Sequence, residues 1–103
     1  MAGLPLEVME RKASEVADFL MAAANKNRLM VLCHLAEAGE LTVNDLAARL
    51  NLSQPALSQH LAVLRNQGLV KTRRQAQTIF YSVAEGPAMD IVTLLHQHFC
   101  GNQ

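Results

Sequence analysis

The chain has 103 residues, with a hydrophobic content of 50% and a charged content of 17%, which suits a single compact domain spanning 1–103 rather than two. No stretch approaches the roughly 20 apolar residues of a membrane-spanning helix, and the start lacks the basic-then-apolar layout of a secretory leader, so a cytoplasmic protein is expected. The net charge is zero, but its distribution is uneven: residues 1–45 carry four Lys/Arg against seven Asp/Glu, residues 46–84 carry five against none, and residues 85–103 carry none against two. The middle segment, with Arg49, Arg65, Lys71, Arg73 and Arg74, has the charge needed to meet a phosphate backbone.

Aromatics make up only 4% and there is no Trp, so Leu, Val, Ile, Met and Ala must fill the core, and such a composition favours helix. From Glu7, the residues Met9, Ala13, Val16, Ala17, Leu20 and Ala24 recur at helical spacing and predict a first amphipathic helix. Asn25 can cap a second helix with the stripe Leu29, Leu32, Cys33 and Ala36, ended by Gly39. Thr42 caps a third, with Val43, Leu46, Ala47 and Leu50 inward and Asp45 placed to close a capping box with a shorter acid. Asn51-Leu52-Ser53 is a turn, and Ser53 caps a fourth helix with Pro55 in its first turn.

In that fourth helix Leu57, Leu61 and Leu64 form the inward stripe and Gly68 ends it, which leaves Ser58, Gln59, Ala62 and Asn66 outward, flanked by Gln54 and Arg65. Leu69 to Arg74 and Thr78 to Val83 read as two strands joined at Gln75-Ala76-Gln77. Gly86 and Pro87 precede a last helix with Ala88, Ile91, Val92, Leu95 and Phe99 on one face. The result is a mainly α fold with a β-hairpin wing: a winged helix-turn-helix of five helices and two strands.

A helix-turn-helix places its second helix in the major groove, where short polar side chains reach base edges and Gln pairs with adenine. Gln54, Ser58, Gln59 and His60 are the candidates for the base-facing helix, and Arg65, Lys71, Arg73 and Arg74 for the phosphates. An isolated Ser-Gln pair is ordinarily just a solvated helix face; the tight turn before it and the basic hairpin after it point to double-stranded DNA. A winged-helix module that binds another protein is the alternative from a different class, since fold does not fix function. No Cys–His–Asp arrangement, glycine-rich phosphate loop or paired carboxylate site is visible, so an enzyme is not expected, and no cofactor is called for.

The run from Leu46 through Asn51-Leu52-Ser53-Gln54-Pro55 to Leu61, together with Lys26-Asn27-Arg28-Leu29, Leu64-Arg65-Asn66-Gln67-Gly68-Leu69-Val70 and Phe80-Tyr81-Ser82-Val83, resembles the ArsR/SmtB family of small bacterial repressors across nearly the whole chain. The resemblance implies a homodimer packed through its first and last helices, an imperfect inverted repeat as operator, and release of DNA by an inducer. The Cys-x-Cys pair of metal-sensing members is absent from Leu41–Leu46, and the family's last-helix zinc site keeps Asp90 but has Val92 where His is expected. His96 and His98 lie two apart and diverge on a helix, while His34 and His60 stand alone. No metal is expected.

Cys33 and Cys100 are the only cysteines. Read by themselves they fit inert packing, since Cys33 lies on an apolar stripe and a helix C-terminus disfavours the thiolate of Cys100. Their positions match the dithiol branch of the family that senses oxidants or persulfides. That likeness implies a bridge between Cys33 and Cys100 that weakens DNA binding, with a reactive sulfur species or oxidant as inducer. A regulator with another inducer, or one that binds DNA constitutively with inert cysteines, is the alternative within the family.

Overall fold

A computed structural model describes residues 3–101. In chain order it has α1 (Leu6–Ala23), α2 (Lys26–Ala38), α3 (Val43–Leu50), α4 (Gln54–Asn66), β1 (Val70–Gln75), β2 (Thr78–Val83) and α5 (Pro87–Cys100). The helix starts are set by local chemistry. The Asn25 side chain accepts from the Arg28 amide at 3.0 Å, and the Ser53 hydroxyl accepts from the Ala56 amide at 3.3 Å. At α3 the box is reciprocal: Thr42 Oγ1 accepts from the Asp45 amide at 3.1 Å and Asp45 Oδ2 from the Thr42 amide at 3.3 Å. Each such bond satisfies a donor that the first helical turn leaves orphaned.

The turn between α3 and α4 depends on Asn51, which sits in the left-handed region at φ 54 and ψ 44. Asn tolerates that conformation better than other residues with a Cβ. It lets Leu46 and Leu57, both fully buried, meet across the turn. The core continues through Val31, Leu32 and Leu35 of α2, Leu61 and Leu64 of α4, Leu69, Val70 and Val83 around the hairpin, and Ala88 and Val92 of α5. Among the described residues no polar or charged side chain is buried.

The hairpin departs slightly from the sequence reading. Gln75 pairs with Thr78, so β1 runs from Val70 to Gln75 and the loop is the two residues Ala76-Gln77, with Leu69 outside the strand. Ala76 takes a positive φ of 56, the sign that tight hairpin loops need to follow the strand twist. Leu41 and Tyr81 exchange backbone hydrogen bonds of 3.0 and 2.8 Å, which pins the second edge of β2 to the loop between α2 and α3.

The core covers only part of the apolar face of each terminal helix. The face of α1 that packs inward is Phe19, Ala22 and Ala23 near its C-terminus, while Met9 and Leu20 are about half exposed. Ala24 lies just past the helix end. The helix runs beyond the small core and reaches it only with its last turns, where Arg28 Nε and Nη2 donate to the carbonyls of Ala22 and Met21 at 2.5 and 3.3 Å. In α5, Ala88 and Val92 are buried, but Phe99 is 78% exposed, because the helix outruns the core at its other end.

Leu57 has no exposed surface and sits where α3 meets α4. Leu57→Ala is expected to cost about 2–5 kcal/mol in urea unfolding, with the spread set by how far the cavity collapses.

Candidate nucleic-acid interface

Because Leu57, Leu61 and Leu64 are held in the core, the opposite side of α4 is presented to solvent, with Ser58, Gln59, Ala62, Arg65 and Asn66 all exposed. His60 is half-buried at the margin of this face. Gln54 is exposed at the first turn, but its Nε2 donates to Asn44 Oδ1 of α3, so it ties the two helices of the motif together. A hollow of about 560 Å³, lined by Ser58, Leu61, Ala62, Arg65, Asn66 and Tyr81, separates α4 from the hairpin. Tyr81 joins this surface from β2, a contribution the sequence reading missed.

The basic segment is free of acids in sequence but not in space. Arg73 Nε lies 2.9 Å from Glu40 Oε2 and its Nη2 3.0 Å from Oε1. Lys71 Nζ lies 2.8 Å from Glu85 Oε1, and Arg49 Nη1 lies 2.8 Å from Glu37 Oε1 and 3.4 Å from His34 Nδ1. The expectation that Lys71 and Arg73 stand without opposing acids is therefore corrected: acids from before and after the segment fold back onto it. Among the described residues, Arg65 and Arg74 are the members of the basic segment without an ion pair. The hydrogen bond from Arg73 holds the Glu40 carboxyl below its usual range and raises Arg73 in turn. Lys71 lowers Glu85 in the same way. Both carboxylates stay ionised at neutral pH, and both pairs are solvent-exposed and thus open to competition from other anions.

Cys33 and Cys100 lie on α2 and α5, which pack together, and both are free thiols. Cys33 is half-buried against the core; Cys100 is exposed at the last turn of α5. Burial pushes the Cys33 thiol up, and its interaction with Cys100 acts in the same direction. A second hollow, of about 380 Å³, opens beside Cys33 between α2 and α5 and is lined also by Ala36, Glu37, Val92, Thr93, His96 and Gln97. Among the described residues no three His, Cys, Asp or Glu side chains gather as a metal site, and none of the helices is long and apolar enough to cross a membrane.

Residues 25–72 match the model of the bacterial regulatory proteins of the arsR family. The chain is 46% identical over 99 residues to the transcriptional activator HlyU of Vibrio cholerae, covering 96% of this chain and 91% of that protein. The chain belongs to the ArsR family. It is also 47% identical over 97 residues to a biofilm growth-associated repressor of Agrobacterium fabrum, covering 94% of this chain and 82% of the repressor. The fold superposes on that of reduced HlyU from Vibrio cholerae with a TM-score of 0.83, at 46% identity over 91% of this chain and 98% of that one. It superposes on the homodimeric winged helix-turn-helix domain of Mb0332 from Mycobacterium bovis with a TM-score of 0.79, at 28% identity over 95% and 93% of the two chains. As an ArsR-family protein this chain is a transcription regulator and not an enzyme, and its five helices and antiparallel hairpin are those of a winged helix-turn-helix.

The raised pKa of Cys33 has a measurable sign. Its neutral thiol persists to higher pH than that of free cysteine, so its alkylation by iodoacetamide is slower at neutral pH. The rate is expected to rise about tenfold per pH unit through the range where free cysteine levels off. A plateau at or below that of free cysteine, read by mass spectrometry of the Cys33 peptide, contradicts the assignment.

Proposed function

We propose that this ArsR-family regulator is a homodimeric repressor in which a single domain, 1–103, both dimerises and binds an imperfect inverted repeat in double-stranded DNA, and that linkage of Cys33 to Cys100 releases the operator. The recognition surface is the outward face of α4. Ser58 and Gln59 read base edges, Gln54 and His60 border them, Arg65 meets phosphates, and the hairpin with Lys71, Arg73 and Arg74 lies alongside the duplex. Complementarity supports this reading: a polar, acid-free helix face stands next to two unpaired guanidinium groups, Arg65 and Arg74. The same feature disfavours a module that binds another protein in place of DNA.

Dimerisation is supported by apolar surface at both chain ends that the small core leaves uncovered, including Leu6 at 71% and Phe99 at 78% exposed. The homodimeric Mb0332 domain, with the same fold, is in keeping with it. Sedimentation at micromolar concentration is expected to give a dimer, and Leu6→Asp with Phe99→Asp a monomer; a wild-type chain that stays monomeric at every concentration refutes the arrangement.

The observation that carries the switch is the placement of the two cysteines: one chain, and two helices in contact. Similarity to HlyU, a reduced form of which is a solved structure, supports a redox-controlled regulator. With a low-molecular-weight persulfide as oxidant the step balances. One cysteine takes up the sulfane sulfur and frees the donor's thiol, then the second cysteine attacks the resulting persulfide and expels hydrosulfide, leaving a disulfide. Such a bridge draws α2 and α5 together and shifts the two α4 helices of the dimer against each other. Persulfide treatment is expected to release the operator, while Zn(II) has little effect. Cys33→Ser and Cys100→Ser proteins are expected to bind the operator as well as the reduced wild type and to stay bound after treatment. Dissociation of either variant under the oxidant makes the cysteines inert and the inducer something else.

On the DNA side, Arg65→Ala and Arg74→Ala are expected to weaken binding by similar factors for all sequences, whereas Gln59→Ala narrows the gap between operator and scrambled duplex. Competition binding at two salt concentrations distinguishes these, and a selective loss of operator binding in the Arg variants reverses the assignments.

A further inference from the structure

The two adjacent arginines of β1 differ in their surroundings. Alternation along the strand puts Lys71, Arg73 and Gln75 on one side and Val70, Thr72 and Arg74 on the other. The second side faces the body: Val70 is buried and Thr72 half-buried, and their cross-strand partners Val83 and Tyr81 are buried and half-buried. Tyr81 also lines the hollow beside Ser58, Ala62 and Arg65, so Arg74, next along that side and opposite Ile79, belongs to the face that α4 presents.

Arg73 stands on the outer side with all three of its nitrogens engaged. Nε and Nη2 donate to the two carboxylate oxygens of Glu40 at 2.9 and 3.0 Å, and Nη1 donates to Gln75 Oε1 at 3.0 Å. Its guanidinium carbon lies 4.6 Å from the ring centre of Phe80, its cross-strand partner. A guanidinium held bidentately and stacked on a ring has a fixed direction. The backbone beside Glu40 is anchored, because the next residue, Leu41, exchanges both backbone hydrogen bonds with Tyr81. A phosphate could take the Nε–Nη2 edge of Arg73 only by displacing that carboxylate.

We propose that Glu40 is a positioning residue of the DNA-binding surface, holding Arg73 as a strut across the outer face of the hairpin and leaving the wing's phosphate contact to Arg74. This rests on the reading of the hairpin as part of a DNA interface. The strut works through geometry: the pair is exposed and adds little to overall stability, but with the ring and the Leu41–Tyr81 bonds it fixes the angle at which the hairpin leaves the body.

The test is a salt series of binding constants, by fluorescence anisotropy, on a duplex selected from a random library and on its scrambled form. The proteins are wild type, Arg74→Ala, Arg73→Ala, Glu40→Gln and the Arg73→Ala/Glu40→Gln double variant, each confirmed as folded by its thermal melt. Arg74→Ala is expected to flatten the slope of log K against log salt by about one unit per protomer, as the loss of one phosphate contact does. Arg73→Ala and Glu40→Gln are expected to weaken binding severalfold with the slope unchanged, and the double variant to be no weaker than Arg73→Ala alone. A slope flattened by Arg73→Ala as much as by Arg74→Ala makes Arg73 a phosphate contact and overturns the proposal. Tighter binding by Glu40→Gln overturns it too, since Glu40 would then be a competitor of DNA. If all of these variants bind like the wild type at every salt concentration, the DNA-binding reading of the hairpin fails along with it.

Discussion

The structure depends on the burial of one side of α2. Val31 and Leu35 have no exposed surface and Leu32 almost none, and against them pack α3, α4, α5 and β2. Removing that stripe would hollow out the core that these elements share, because a domain this small has one core and no second layer. The same helix carries Cys33 one residue from the buried stripe and Glu37 on its far side, and the loop after it carries Glu40. Chemistry at Cys33 therefore acts on the element from which the helix-turn-helix and the hairpin are both suspended.

Electrostatics refine that picture. A neutral chain with a purely basic middle suggests a broad cationic surface, yet folding brings Glu37, Glu40 and Glu85 onto Arg49, Arg73 and Lys71. Among the described residues, what is left unpaired in that segment is narrow: Arg65 at the end of the α4 face and Arg74 on the hairpin. A surface with few free cations binds non-specific DNA weakly, so more of the discrimination falls to the short polar side chains of α4.

The parts of this fold that were legible in the sequence are those written in local chemistry. Asn25, Thr42 with Asp45, and Ser53 mark helix starts because a cap is a contact over three residues, and Leu57, Leu61 and Leu64 mark the inward side of α4 through their spacing. Illegible were contacts set by the tertiary path. Glu40 and Arg73 are 33 residues apart, and neither suggests the other until Leu41 is known to pair with Tyr81. The hairpin loop was read one residue too long, which hid the pairing of Arg73 with Phe80. For α1 the spacing shows which residues share a face but not whether the partner is the same chain or a second one. Met9 and Leu20, on that face, are about half exposed in the single chain.

The terminal helices thus join the two halves of the proposal: their uncovered apolar surface makes the dimer, and Cys100 at the end of α5 connects the dimer interface to α2. Burial keeps Cys33 a neutral thiol at rest, which guards against adventitious oxidation, while Cys100 is open to solvent. The central claim is that joining these two sulfurs moves the recognition helices. Pulsed electron paramagnetic resonance, with a nitroxide introduced at Ala62 of each protomer through a non-cysteine amino acid, measures the distance between the two α4 helices directly. A distance distribution that shifts on persulfide treatment of the wild type and stays fixed in Cys33→Ser is the predicted result; a distribution that is the same before and after formation of a verified Cys33–Cys100 link would contradict it.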